Sequence, residues 1–438
     1  MDVRFCEVGK YPELPQAARR TIGSVGTGPL THTRSVRHGR ISLIQATYGI
    51  AFGLLMPFTL PLLAERGLSA AQIGLIMGVT GVAALVAYPF WGVVADGWLG
   101  RPRTIALSAL VAALGGAWIL AAGGDPLMLT VAISVAVVGA MAWGPLIDAL
   151  TLGLLGEGST DYGRIRVWTS LGWAASTAAG GLLWSVAGPA PVFAAYIVAS
   201  LAVAVLVLLP LPDDAAATPT GADAEHLSLR GWLPLLTAPL MIGFLAGLLL
   251  TAIGEHASGR FVSLRILDQG GGILLVGLAA ALPALVEIPV FASSRRLASR
   301  LGLRTLFVTG AVVAALLMSL VAVAPEPWMV AGLRTLEGTS YALRYMAMVL
   351  IIGALMPRHL YAVGQSVAWF FYAGIAPIVA DAAGGLIYET LGAEALFLLI
   401  TGAFLAGGAI VWVVLRGPEF RPQHVAPVEE VPPPLTPG

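Results

Sequence analysis

Between Gly332 and Leu355, a stretch otherwise apolar enough to lie in lipid carries Arg334, Glu337 and Arg344. On a helix that turns about 100° per residue, these three and Tyr341 share one arc of roughly 80°. An ionisable group in the apolar core of a bilayer costs at least a few kcal/mol, so such groups face a bundle interior or a water-filled cavity. Two chemistries fit this arc. Arg334 and Glu337, three residues apart, can form a structural ion pair; alternatively, Arg334 or Arg344 offers its fork of N–H donors to an anionic or hydroxyl-rich group of a solute.

Further polar groups interrupt other apolar runs. Glu255, His256 and Arg260 fall near the end of a run expected over 232–258. His256 and Arg260 are one turn apart, whereas Glu255 is turned about 100° from His256, so the three need not form one cluster. A histidine beside a carboxylate suits a proton relay, because imidazole titrates near neutrality. A wet helix end would equally explain the trio. Glu287 interrupts "AAALPALVEIPVF"; hydrocarbon disfavours its charged form, which equips it to exchange a proton, unless an arginine holds it permanently. Asp381 follows Ala373 and Pro377 in a stripe that continues to Gly385, and either binds a proton or caps a broken helix. Glu255, His256, Glu287 and Asp381 are thus the candidates for coupling to protons. Tyr48 shares a face with Gln45 and Phe52 and is the stronger candidate to meet solute, since its hydroxyl would otherwise lack a partner in lipid; Trp369 and Tyr372 are similar candidates. Phe52 and Tyr88 read as packing aromatics. Arg334, Glu337, Tyr341, Arg344, Tyr48 and Trp369 make up the expected solute site.

The elements that position these groups are membrane helices. The 438-residue chain is 58% hydrophobic and only 11% charged, against about a quarter charged in a soluble domain. Runs of about 20 apolar residues are long enough to span a bilayer. They occur near 39–62, 70–94, 103–123, 127–153, 165–187, 191–211, 232–258, 270–293, 304–324, 327–355, 363–387 and 393–415. The expected fold is therefore all-α, with twelve transmembrane helices. Arg101, Arg103, Arg164, Arg166, Arg296, Arg300 and Arg304 follow even-numbered runs, which places them, with the basic N-terminal segment and both termini, on the cytoplasmic side.

A polar linker over 212–231 divides the chain into an N-terminal bundle over 39–211 and a C-terminal bundle over 232–415, flanked by a cytoplasmic segment over 1–38 and a tail over 416–438 expected to be disordered. "AAGGLLW" at 178–184 and "AAGGLIY" at 382–388 lie about 204 residues apart, and "RPRTI" at 101–105 faces "GLRTL" at 302–306, which together argue for duplication. Gly74 with Gly78, and Gly172 with Ser176 and Gly180, read as close-packing faces.

Balanced charge, 24 basic against 24 acidic residues, gives no basic footprint for nucleic acid. The single cysteine, Cys6, excludes an intramolecular disulfide and a thiolate cluster. No Walker-type GxxxxGK[ST], G-x-S-x-G or H-E-x-x-H element occurs, so neither ATP-driven transport in cis nor an enzyme is indicated, and no cofactor or metal is expected.

"GVVADGWLGRPRTI" at 92–105 resembles the signature between the second and third helices of the major facilitator superfamily. Gly100 stands four residues after Asp96 where the family usually has three, and the second-half copy, "LASRLGLRTL", has Ser299 where an aspartate often stands. "DALTLGLLGEGSTDYGRIRVWTSLGW" from Asp148 to Trp173, with "LVEIP" at 285–289, is similar to the branch that includes the phenylpropionate permease, nucleoside–proton symporters and, more distantly, the lactose permease. The resemblance covers about residues 39–415 and implies two six-helix bundles around an alternating-access cavity, usually proton-driven. It places Asp148 toward the cytoplasmic end, within reach of Arg164 and Arg166. These three, with Asp96, Arg101 and Arg103, are expected to be gating contacts.

The expected function is a secondary active transporter in the plasma membrane, the inner membrane if the source is bacterial, carrying a small polar or anionic organic solute by proton symport. An exporter of drugs or metabolites in the same fold is the alternative, and a non-transporting receptor or assembly protein is the alternative from another class. Its partners would be the solute, protons and lipid, with no nucleic acid, and the protein would act as a monomer.

Overall fold

The computed structural model describes residues 30–155, 162–209, 236–357, 360–417 and 420. Most of the N-terminal segment, the 212–231 linker and nearly all of the tail expected to be disordered lie outside the described residues. Residues Met1–Arg40 form one unit, described only in the first turns of the first helix, and Ile41–Gly438 form the other. Among the described residues there are helices and no strand.

The first half contains α1 (Leu30–Glu65), α2 (Ala70–Val94, continued by a π-turn over Ala95–Leu99), α3 (Arg101–Ala121), α4 (Pro126–Ala140), α5 (Trp143–Leu155), α6 (Tyr162–Ala187) and α7 (Pro189–Leu208). The second contains α8 (Pro239–Asp268), α9 (Ile273–Ala292), the short α10 (Ser294–Leu301), α11 (Leu303–Val323), α12 (Pro327–Leu355), α13 (Tyr361–Trp369, continued by a π-turn over Phe370–Ile375) and α14 (Ala376–Val414).

Helix starts follow local chemistry. Ser69 and Gln72 cap α2 reciprocally, and Asp125 accepts the Met128 N–H at 2.7 Å ahead of α4. Prolines open α4, α7, α8 and α12, where a missing amide is no loss. The expected run over 127–153 is two helices, because Pro145 has no N–H to offer the Met141 carbonyl.

Among the described residues ten stretches are long and apolar enough to cross a membrane, so this is a multi-pass membrane protein. The last of them, Val363–Val414, runs 52 residues but is broken at Gly392, whose φ of 86° only glycine adopts readily. The helix Tyr162–Ala187, 26 residues long, lies outside the ten and carries Arg164 and Arg166 in its first turns.

The expectation of a run ending at 258 is corrected. The helix starts at Pro239 and continues to Asp268, so Glu255, His256 and Arg260 stand mid-helix rather than near an end. The polar residues that seemed to end the run have partners: Ser258 donates to Glu337, Arg260 pairs with Asp381, and Arg265 donates to the carbonyls of Ala322 and Ala324 at the end of α11.

Contacts between segments distant in sequence define one end of the bundle, here called the Glu65 end. Trp184 Nε1 donates to Glu65 at 3.0 Å, Arg66 donates to the Gly123 carbonyl, Glu389 accepts from the Ala71 N–H at 2.7 Å, and Tyr388 donates to Asp268.

The two halves touch along two seams. At one, a Cβ on Gly74 of α2 would lie 2.4 Å from the Asp381 carbonyl oxygen and 2.8 Å from Gly385 Cα of α14. At the other, a Cβ on Gly277 of α9 would lie 2.5 Å from the Thr177 carbonyl oxygen and 2.9 Å from Gly181 Cα of α6. Small residues alone allow such backbone-to-backbone approach. The first seam loosens away from the Glu65 end, where Gly78 and Gly81 meet the side chains of Ala382 and Ile378.

The seams are internal copies of one another. Gly181 and Gly385 close them, while the preceding Gly180 and Gly384 admit the ring edges of Phe58 and Phe261. Each of these pairs is separated by about 203 residues, as are the positive-φ glycines Gly67 and Gly270, Gly100 and Gly302, and Gly188 and Gly392.

Candidate functional site

Between the halves lies a cavity of about 360 Å³, within the range of about 300–1,000 Å³ usual for small-molecule sites. Its first-half wall is mostly apolar and aromatic: Phe52 and Met56 of α1, Met77, Thr80 and Tyr88 of α2, and Trp173 of α6. Its second-half wall carries Glu255, His256, Arg260 and Ser263 of α8, Arg334 of α12, and Ala373 and Pro377.

The arc on α12 resolves into ion pairs. Arg334 pairs with Glu337, whose other oxygen accepts from Ser258 Oγ at 2.7 Å. Arg344 turns to α8, where its Nη2 donates to Glu255 at 2.7 Å; its Nη1 donates to Ser340 Oγ at 3.0 Å, and its guanidinium lies 4.7 Å over the Phe404 ring. The second Glu255 oxygen accepts from Tyr372 OH. Arg260 Nε stands 2.8 Å from Asp381 Oδ1, but off the N–H direction, so the contact is ionic and neither Asp381 oxygen receives a hydrogen bond. His256 Nε2 lies 3.0 Å from the Tyr372 carbonyl oxygen.

Of the proton-coupling candidates, Glu255 and His256 line the cavity, while Asp381 is 1% exposed behind Arg260. Glu287, half-buried, has Arg334 and Glu255 as charged neighbours but no hydrogen bond or close ion pair among the described residues. Of the six residues expected to meet solute, Arg334 lines the cavity. Glu337 and Arg344 are buried behind it, and Tyr341, Tyr345, Trp369 and Tyr372 form a continuous row of ring contacts beside it. Tyr48 packs against Phe52 and Trp143. Sequence reasoning missed Trp173 and the cavity-facing roles of Phe52 and Tyr88. Only the partner helix could have revealed them, because an aromatic in a membrane helix packs on lipid, protein or solute without changing its pattern.

A second polar group belongs to the first half. Gln45, fully buried, donates to Asp148 at 3.0 Å and to Thr151 at 3.1 Å, and accepts from Thr169. Arg166 Nε lies 3.8 Å from Asp148. Arg164 is exposed on the same helix. Asp96 and Arg103 are exposed and Arg101 half-buried beside the turn that precedes α3; no described ion pair joins Asp96 to either arginine.

The profile of the MFS_1 like family matches residues 46–399. A maltose permease of Geobacillus stearothermophilus is 30% identical over 377 residues, covering 84% of this chain and 91% of that one. The multidrug resistance protein MdtG of Citrobacter koseri is 26% identical over 401 residues, covering 84% and 92%. Among solved structures, the nucleoside transporter NupG superposes with a TM-score of 0.72 at 15% identity, covering 87% of this chain and 99% of that one.

Proposed function

Because this chain belongs to the MFS_1 like family of membrane transporters, we propose that it is a proton-coupled symporter of a small, uncharged, hydroxyl-rich solute, working by alternating access. The observation that carries this reading is the charge inventory around the cavity, taken over the described residues of the second half. Arg260, Arg334 and Arg344 are each held by a carboxylate, and Glu287 is left over. An anionic solute would have to displace one of those carboxylates, leaving it buried and unpaired at a cost of several kcal/mol. A neutral polyol instead hydrogen-bonds to the cavity-facing edges of the paired groups, and its C–H faces stack on Phe52 and Trp173. The maltose permease supports a sugar as the first solute to try.

Protonation of Glu287 removes the negative charge that no described arginine beside the cavity holds, and this is the proton that travels with the solute. The chain crosses the membrane twelve times: ten apolar stretches, the helix Tyr162–Ala187, and one more crossing because Gly392 divides the last stretch in two. Arg101, Arg103, Arg296, Arg300 and Arg304 crowd the end opposite Glu65, which is therefore the cytoplasmic one. With both glycine seams shut at the Glu65 end, the described conformation is closed to the outside.

The test is proteoliposomes loaded with a pH dye and given maltose, other sugars, nucleosides and carboxylates in turn. Acidification of the interior with a neutral sugar and none with carboxylates is expected; acidification with carboxylates alone overturns the solute class. A second reading, proton-driven export of amphipathic compounds, is favoured by the multidrug relative and by the engagement of all three arginines. It predicts dye efflux instead.

A further inference from the structure

The π-turn over Phe370–Ile375 and the proline behind it leave one backbone acceptor without a backbone donor. In α-helical register the Ala376 N–H would reach the Tyr372 carbonyl; here it turns to Phe371. In π-register the next residue would supply the donor, but residue 377 is proline and has none. The Tyr372 carbonyl is instead met by His256 Nε2 at 3.0 Å. A carbonyl only accepts, so Nε2 carries the hydrogen. Enclosure among the helices disfavours a charged ring, and no carboxylate is left to offset it, since Glu255 is taken by Arg344 and Tyr372 and Asp381 by Arg260, so the ring is neutral and Nδ1 is bare. No described residue engages Nδ1; it is not among the fully buried polar atoms, and the ring lines the cavity.

We propose that His256 is a specificity-determining residue: fixed as the Nε2–H tautomer by the Tyr372 carbonyl, it presents Nδ1 to the cavity as an acceptor for a hydroxyl of the solute. This deepens the reading of a neutral, hydroxyl-rich solute and rests on it. Around the ring, the ionisable groups are Glu255 and Arg260 on its own helix, Tyr372 and Asp381 on the helix opposite, and Arg334 on α12. Those that face the cavity are tied as ion pairs, whereas Nδ1 is an acceptor unoccupied by protein.

Two variants separate reading from holding. His256→Gln keeps an amide N–H for the Tyr372 carbonyl and loses the acceptor at the Nδ1 position. His256→Asn places an amide near Nδ1 and cannot reach the carbonyl. The experiment measures uptake of maltose and of its single-deoxy analogues in proteoliposomes, with ¹⁵N-histidine NMR of the purified protein alongside, the His256 signal being assigned by its loss in His256→Gln. One deoxy analogue is expected to show about ten-fold weaker apparent affinity in the wild type, since a buried acceptor is left unmet. The same analogue should match maltose in His256→Gln. In the spectra Nδ1 should be unprotonated and should shift when maltose binds.

Protonated Nδ1 in the free protein overturns the proposal, whatever the transport results. So does maltose uptake in which His256→Gln relieves no analogue's penalty. Failure of the underlying solute class looks different: the wild type takes up neither maltose nor any other neutral sugar or nucleoside of the panel and the Nδ1 signal moves with none of them, and the proposal falls with it.

Discussion

Replacing Gly74 by alanine places a methyl group where two helix backbones already touch. Its carbon would lie 2.4 Å from the Asp381 carbonyl oxygen and 2.8 Å from Gly385 Cα, neither of which belongs to a side chain that can swing aside. Comfortable non-bonded separation is about 3.5 Å, so α2 and α14 must part by roughly 1 Å at this crossing. Overpacking of this kind costs about 1–3 kcal/mol. Only the conformation in which the seam is shut bears that cost; a penalty of about 2 kcal/mol shifts a two-state balance about thirty-fold. A population at ten to one in favour of the shut seam becomes about three to one against it.

The assay uses the fact that Cys6 is the single cysteine. With Cys6 changed to serine, spin labels at Leu127→Cys and Leu391→Cys, both exposed at the Glu65 end, report the separation of the halves by pulsed dipolar spectroscopy. A second pair, Trp98→Cys and Arg300→Cys, reports the opposite end. Gly74→Ala is expected to populate a longer distance in the first pair and a shorter one in the second. Unchanged distributions at both ends, in a variant with wild-type thermal stability, would refute the claim that this seam holds the halves together.

Glu287→Gln is expected to abolish solute-driven acidification of proteoliposomes while leaving exchange of labelled solute across the bilayer; retained acidification would move the proton site elsewhere. Asp381→Ala leaves the Arg260 cation without its partner and should cost about 3 kcal/mol, the low end for a buried pair because the Arg260 side chain is 22% exposed. Arg260→Met combined with Asp381→Leu should recover most of that loss, measured by thermal unfolding in detergent; a double variant no better than Asp381→Ala would count against the pairing. Gln45→Leu removes two donors and one acceptor at once from Asp148, Thr151 and Thr169. A loss of about 1–3 kcal/mol is expected in the same assay, and an unchanged midpoint would show the network to be idle.

Much of the fold was legible in the sequence because lipid enforces it. Helix positions follow from apolar runs, and the ends of most runs agree with the helices within a few residues. The α8 boundary was misread for the opposite reason: hydropathy treats Ser258, Arg260 and Ser263 as a return to water, whereas protein partners on α12 and α14 receive two of them. The arc on α12 was also visible, but not the destination of each arginine. Helical spacing reports which face a residue shares, and Arg344 chose Glu255 on another helix over Glu337 on its own. The His256 contact was beyond reach, since it depends on a π-turn whose only sequence trace is Pro377.

The glycine seams have a consequence for the time course of switching. Long side chains that interdigitate at an interface must be re-ordered at each closure, surrendering up to about 2 kcal/mol of rotamer freedom apiece, whereas glycine surrenders none. Dispersion between flush surfaces also fades steeply, with a gap of 0.5–1 Å forfeiting about a quarter to a half of the attraction. A seam such as Gly181 against Gly277 therefore grips only at full contact and offers little resistance once parted. It behaves as a snap fastener rather than a spring, and half-open molecules should be short-lived compared with either end state.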